Sequence, residues 1–244
     1  MTTENHDRRG AEICPQPVAR PVMTQQWCDL AYIHWRYDPA IVQSLLPESL
    51  EVDTFDGSAW VGLIPFSMRN IAGPGTPPVP YFGSFPEVNV RTYVRKNGIA
   101  GVWFFSLDVN RLLPAVVARA TYFLPYCWGS ASHELDDNVL TTEVFRKWPG
   151  GGETSIRIRV GDAIERSDDL SVFLSARWGL YSRGFGRGLR YAPVDHEPWV
   201  LHEATLEYLE DSLVIAAGLP APTGEPHVLF SPGVSVRIGL PHRA

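Results

Sequence analysis

The run EVNVRTYVR, residues 87–95, constrains this chain more than any other stretch. It alternates strictly. In an extended strand Glu87, Asn89, Arg91, Tyr93 and Arg95 share one side, and Val88, Val90, Thr92 and Val94 share the other. The β-branched side suits a pleated surface packed on a core. The polar side carries a carboxylate, an amide, two guanidiniums and a phenol, so it either faces water or lines a polar cavity. Asn97-Gly98 predicts a tight hairpin turn, and GVWFFSLD, residues 101–108, predicts the returning strand.

The remainder of the chain reads the same way. TQQWCDLAYIHWRY, residues 24–37, is a strand. Asp38-Pro39 opens a short helix through IVQSLL, which Pro47 closes, with Asp38 as N-cap and Pro39 at the first helical position. Strands at 50–57 and 58–71 meet at an Asp56-Gly57 turn, and the Pro/Gly-rich segment 73–86 is a loop of the kind that rims a site. Residues 112–122 form an apolar helix that ends before Pro125. Residues 129–161 return to strands, with ETSIRIRVGD as an exposed or edge strand. Residues 167–178 form a helix capped by Ser167, and strands follow at 179–184, 189–196, 202–209 and 227–240. With 21 Gly and 21 Pro spread along 244 residues, turns are many and long helices few. The residues thus predict one mainly β domain over 23–244, a closed or nearly closed barrel or a sandwich with helices packed on it, preceded by a flexible tail over 1–22.

Charge and composition narrow the partners. A net charge of −6 argues against nucleic acid, which calls for a basic stripe. No apolar run reaches bilayer-spanning length, and the first 22 residues lack the apolar segment of a signal peptide, so neither a membrane partner nor export is expected. Three separated cysteines, Cys14, Cys28 and Cys127, form neither a disulfide framework nor a zinc spacing, which fits a reducing cytoplasm. No metal motif, Gly-x-Ser-x-Gly elbow or phosphate loop is present. RGFGRGLR, residues 183–190, only superficially resembles a phosphate loop. No metal and no cofactor are therefore expected.

Several side chains are candidates for a ligand site. Arg177, with Tyr181 nearby, could hold a carboxylate or simply stack on aromatics. His34, beside Arg36 on a strand face, could be a base or a structural histidine. Arg119, Tyr122 and Tyr126 lie on or after the helix that follows Asp108. They would point inward if that helix crosses a barrel mouth. Lys96 and Lys147 are the only lysines, and neither context suggests a desolvated amine.

The ordered set IHWRYDPAIVQSLLPESLEVDTFDGSAWVGLIPF, EVNVRTYV, GVWFFSLD, VARATYFLPY and DHEPW resembles the YqjF-like family, domain of unknown function 2071, from about Trp27 to Leu240. That family is similar in fold to the acetoacetate decarboxylases. The resemblance implies a cone-shaped β-barrel with a central cavity and two or three flanking helices. WRYDPAIVQSLLPESLEVD is similar to a decarboxylase segment and retains Arg36, Pro47, Glu48, Leu50, Glu51 and Asp53. A second decarboxylase frame reads here Arg119-ATYFL-Pro125-Tyr126-Cys127-Trp128-Gly129, with Tyr126 and Cys127 where the family carries two lysines. The first of those lysines forms the family's Schiff base. Its loss implies that this chain does not decarboxylate β-keto acids through an imine.

Two functions stay open. One is a small-molecule enzyme, a cofactor-independent lyase, isomerase or cyclase acting on a small carboxylate or carbonyl compound. In that reading Glu87 and Tyr126 transfer protons, Arg91 or Arg119 holds the anion, and Asn89, Tyr93, Arg36, His34, Arg177 and Tyr181 complete the pocket. The other is a non-catalytic carrier or sensor of small molecules. A homo-oligomer is expected by analogy with the fold.

Overall fold

The computed structural model describes residues 12–184 and 188–244. Residues 1–11 of the expected tail, and residues 185–187 of RGFGRGLR, lie outside the described residues. The first half of the chain forms β1 (Met23–Tyr37), α1 (Pro39–Ser44), β2 (Glu51–Val52), β3 (Ala59–Ala72), β4 (Phe85–Lys96), β5 (Ile99–Val109) and α2 (Leu112–Thr121). The second half forms β6 (Tyr126–Asp136), β7 (Val139–Trp148), β8 (Glu153–Ala163), α3 (Asp169–Ser175), β9 (Gly179–Arg183), β10 (Leu189–His196), β11 (His202–Asp211), α4 (Leu213–Ala216), β12 (His227–Ile238) and β13 (His242–Arg243).

The strands form one sheet that closes on itself. Nine of them, β5-β6-β7-β8-β11-β12-β1-β3-β4, complete a ring because β4 returns to β5. Two further strands span the other side of the same wall. β9 pairs with the start of β5, β10 pairs with the end of β12, and β9 and β10 pair with each other. The wall β12-β1-β3-β4-β5 is therefore covered on both faces. That arrangement explains why the hairpin strand needs two chemistries.

Val88 and Val90 pack with Leu140, Val144, Ile156 and Ile158 of β7 and β8 in a dry core. On this side Arg146 of β7 grips Asp108 of β5 with two hydrogen bonds of 2.6 Å, and Ser106 accepts a third at 3.0 Å. The opposite face of the wall, with Tyr32, Phe66, Leu107, Leu180 and Ile238, forms a second core that β9 and β10 cover.

Local chemistry sets the element ends. Asp38 Oδ1 accepts from the Ala40 amide at 2.8 Å and caps α1, as its sequence predicts. The α3 cap is Asp168 rather than Ser167: its Oδ1 accepts from the Ser171 amide at 2.7 Å. β8 has the exposed face that its sequence predicts, but it lies between β7 and β11 rather than at an edge. An antiparallel strand with one solvated face alternates in the same way at the centre of a sheet as at its edge. Residues 12–22, expected within the tail, lie on the barrel. Cys14 and Val18 are buried, and the Val18 amide donates to Asp195. No described helix is long and apolar enough to cross a membrane.

Candidate functional site

The second core encloses a cavity of about 330 Å³. Glu87, Asn89 and Arg91 all line it, because residues two apart on β4 share a face. Tyr126 faces them from the first residue of β6, which the parallel pairing of Leu107 with Tyr126 brings alongside β5. The rim is formed by Val79 and Phe82 of the loop before β4 and by Leu113 of α2, all substantially exposed. Behind Arg91 lie Tyr93 and Leu174, both fully buried.

Glu87 is 2% exposed, and the Tyr126 hydroxyl donates to its Oε2 at 3.1 Å. Burial raises the Glu87 pKa to about 8. Hydrogen bonds from Tyr126 and Asn89 oppose that rise only in part, and nearby Asp108 adds to it. The carboxyl is therefore mostly protonated at neutral pH. Burial, and the neighbouring Glu87, likewise push the Tyr126 phenol well above its ordinary value, so it stays a donor. This pair can give a proton to a group bound beside it.

Arg91 lies deeper. Its Nη2 donates to the Tyr93 hydroxyl at 3.2 Å and to the Leu174 carbonyl at 3.3 Å, and its guanidinium carbon lies 5.5 Å from the centre of the Tyr32 ring. Its Nε is buried with no partner, as are Asn89 Oδ1 and Trp27 Nε1 on the same cavity wall.

Tyr93 and His34 sit behind Arg91 rather than on the cavity. The Tyr93 hydroxyl donates to the Leu174 carbonyl at 2.5 Å and lies 2.7 Å from His34 Nε2. With the phenol proton committed to Leu174, His34 Nε2 must be the donor, which fixes that tautomer. Burial holds the His34 pKa well below its usual value, and the charges of Arg91 and His227 push the same way, so the ring is neutral. Gly62 leaves room for this ring: a Cβ there would lie 2.6 Å from His34 Nε2.

Four further candidates fall away from the cavity. Arg119 donates to the Tyr126 carbonyl and stacks on Trp148 at 4.9 Å, so it braces the strand that carries Tyr126. Arg36 is exposed and lies over the Trp60 ring. Arg177 does hold a carboxylate, but it is the chain's own Asp53, at 2.6 Å. The Tyr181 hydroxyl donates to the Ile99 carbonyl from a separate core beyond β5. The lysines are also elsewhere. Lys96 ends β4, Lys147 is exposed over the Trp128 ring, and neither lines the cavity. Of the two residues at the lysine frame, Tyr126 faces the cavity. Cys127 turns toward Asp108 and Arg146, where burial raises its thiol pKa to about 11.

Most of the wall was not anticipated from the sequence: Gln25, Trp27, Phe66, Met68, Phe104 and Leu180 are among the side chains that complete it. In β1 the periodic signal is broken where Asp29 takes φ 53° and the register with β3 shifts between Cys28 and Ile33.

Known proteins share both sequence and fold. The family model described as an uncharacterized conserved protein, DUF2071, matches residues 24–235. The uncharacterized protein YqjF of Bacillus subtilis (strain 168) is 32% identical over 207 residues, covering 84% of this chain and 85% of that protein. Among solved structures, an acetoacetate decarboxylase-like enzyme from Sphingomonas wittichii RW1 superposes with a TM-score of 0.64 at 15% identity, covering 93% of this chain and 94% of that one. The enduracididine biosynthesis enzyme MppR complexed with pyruvate gives a TM-score of 0.64 at 12% identity, covering 93% and 91%. Acetoacetate decarboxylase from Legionella pneumophila gives 0.59 at 14%, covering 93% and 92%. The chain belongs to the DUF2071 family, built on the acetoacetate decarboxylase-like β-barrel fold.

Proposed function

We propose that this protein is a small-molecule enzyme that transfers a proton to a bound carboxylate or carbonyl compound, as a lyase, isomerase or cyclase working through its own side chains. One observation carries the reading: a buried Glu87, hydrogen-bonded to Tyr126 and with its pKa raised by burial to about 8, shares a cavity with Arg91. Glu87 is the general acid, using the oxygen that Tyr126 does not engage. Tyr126 orients it. Arg91 holds the anionic or carbonyl oxygen of the ligand. With both lysines outside the cavity, the chemistry does not pass through an imine. The similarity to enzymes of the same fold supports a small-molecule enzyme, while the reaction itself is argued from the site.

A thermal-shift screen of keto acids, aromatic acids and lactones, followed by mass spectrometry of each hit, tests this. A hit that is chemically altered is expected. Glu87→Gln should then lower kcat by about 10²- to 10⁴-fold, as for loss of a general acid. In the wild type the rate should fall as pH rises through about 8, where Glu87 loses its proton. A hit that binds and returns unaltered favours a non-catalytic binding protein. Borohydride trapping of a keto-acid adduct on a lysine would overturn the exclusion of an imine.

A further inference from the structure

The cavity pairs one polar row with an otherwise mostly apolar lining. Along β4, Phe85 lies toward the exposed rim and Arg91 deeper. Six steps of extended chain separate them, a span of about 20 Å. The ionisable groups Glu87 and Arg91 lie on this one strand, with Asn89 between them, and Tyr126 on β6 joins them. The rest of the lining is mostly hydrocarbon or aromatic: Phe66 and Met68 on β3 and Phe104 and Leu107 on β5 flank the polar row, Leu124 and Leu180 add to them, and the rim is apolar too. A ligand that is polar throughout, such as a short keto acid, would leave this surface against water or against its own polar groups. The unpartnered atoms point the same way. Arg91 Nε and Trp27 Nε1 offer two donors, Asn89 Oδ1 offers an acceptor, and all three lie on the cavity wall. Buried groups of this kind find their partners in protein, water or ligand.

We propose that the physiological ligand is an amphiphilic monoanion: one carboxylate or carboxylate-like head held by Arg91, and a single apolar body, aliphatic or aryl, that fills the hydrocarbon wall toward the rim. A volume of 330 Å³ corresponds to about eleven water-sized groups, so the ligand has on the order of ten heavy atoms. This rests on the proposed placement of the anion at Arg91 but not on turnover.

The test uses the intact protein and unreactive probes: propanoate, hexanoate, octanoate, decanoate and hexadecanoate, with 1-octanol as a headless control, titrated by calorimetry. Affinity should rise by about fourfold per methylene from three carbons to eight or ten, then stop rising or fall. Arg91→Met should weaken octanoate binding at least tenfold and leave octanol binding within twofold. Circular dichroism and an unfolding curve check that this variant is folded. A flat wild-type series, or propanoate bound as tightly as octanoate, overturns the inference whatever the variant does. The same holds if octanoate binding is insensitive to Arg91→Met in a folded protein. Because these probes carry no reactive carbonyl, their outcome is separable from the chemistry. Length-dependent binding together with a turnover that Glu87→Gln leaves intact would sink the proton-transfer reading alone. A flat series with Glu87-dependent turnover would sink only the amphiphilic ligand.

Discussion

At the scale of single residues, the cost of Glu87 is written into the stability of the fold. Its carboxyl has an ordinary pKa of 4.5 and is raised to about 8 when folded. Between those values the folded protein holds a proton that the unfolded chain has released, so stability falls as pH rises from about 4.5 to about 8 and is level beyond. Glu87→Gln removes this slope. The variant should gain stability relative to the wild type as pH goes from 5 to 8, measured by urea unfolding at each pH. Parallel curves would show that Glu87 is ionised throughout. Residue identity was partly legible in advance: the parity of 87, 89 and 91 placed three side chains together. Tyr93 has the same parity, yet it lies behind the wall, where its hydroxyl donates a hydrogen bond to the Leu174 carbonyl of α3. No local pattern announces a partner 81 residues away.

At the scale of elements, β1 and β12 show why the apolar wall stayed hidden. From Leu30 to Trp35 every residue of β1 is buried, because the strand has a core on each side. A strand buried on both faces loses the polar–apolar alternation that reveals orientation. His34 and Arg36 could therefore be grouped by sequence but not placed. The hairpin of β4 and β5, the α1 cap and most strand positions were legible, since turn chemistry and period act locally. β12 bends against β1 at Gly233, whose φ is 126° and whose Cβ, if present, would lie 2.0 Å from the Trp27 carbonyl. Gly233→Ala meets both the strained φ and a backbone clash. It should cost at least ~2 kcal/mol and lower Tm by roughly 4–8 °C, while loosening Trp27 and weakening ligand binding. An unchanged Tm would mean that β12 can shift freely here.

At the scale of the molecule, two interiors share one wall, and they differ in what they tolerate. The dry interior holds the Asp108–Arg146 pair, with side chains 2% and 4% exposed. Arg146→Met strands a buried carboxylate and should cost about 3–5 kcal/mol in denaturant unfolding. Adding Asp108→Leu should restore most of it, since hydrophobic replacement of a whole buried pair is often neutral. If the double variant is as unstable as the single one, the pair does more than satisfy itself.

The wall strand β4 also sets how this protein can change. Its even positions, Val88 and Val90, belong to the dry core, and its odd positions 87, 89 and 91 belong to the cavity. A mutational library confined to those three odd codons would vary ligand chemistry while leaving the dry-core packing of the same strand untouched. Scaffold and pocket are thus interleaved residue by residue yet separately mutable, a route by which one barrel can acquire new ligands without first being rebuilt.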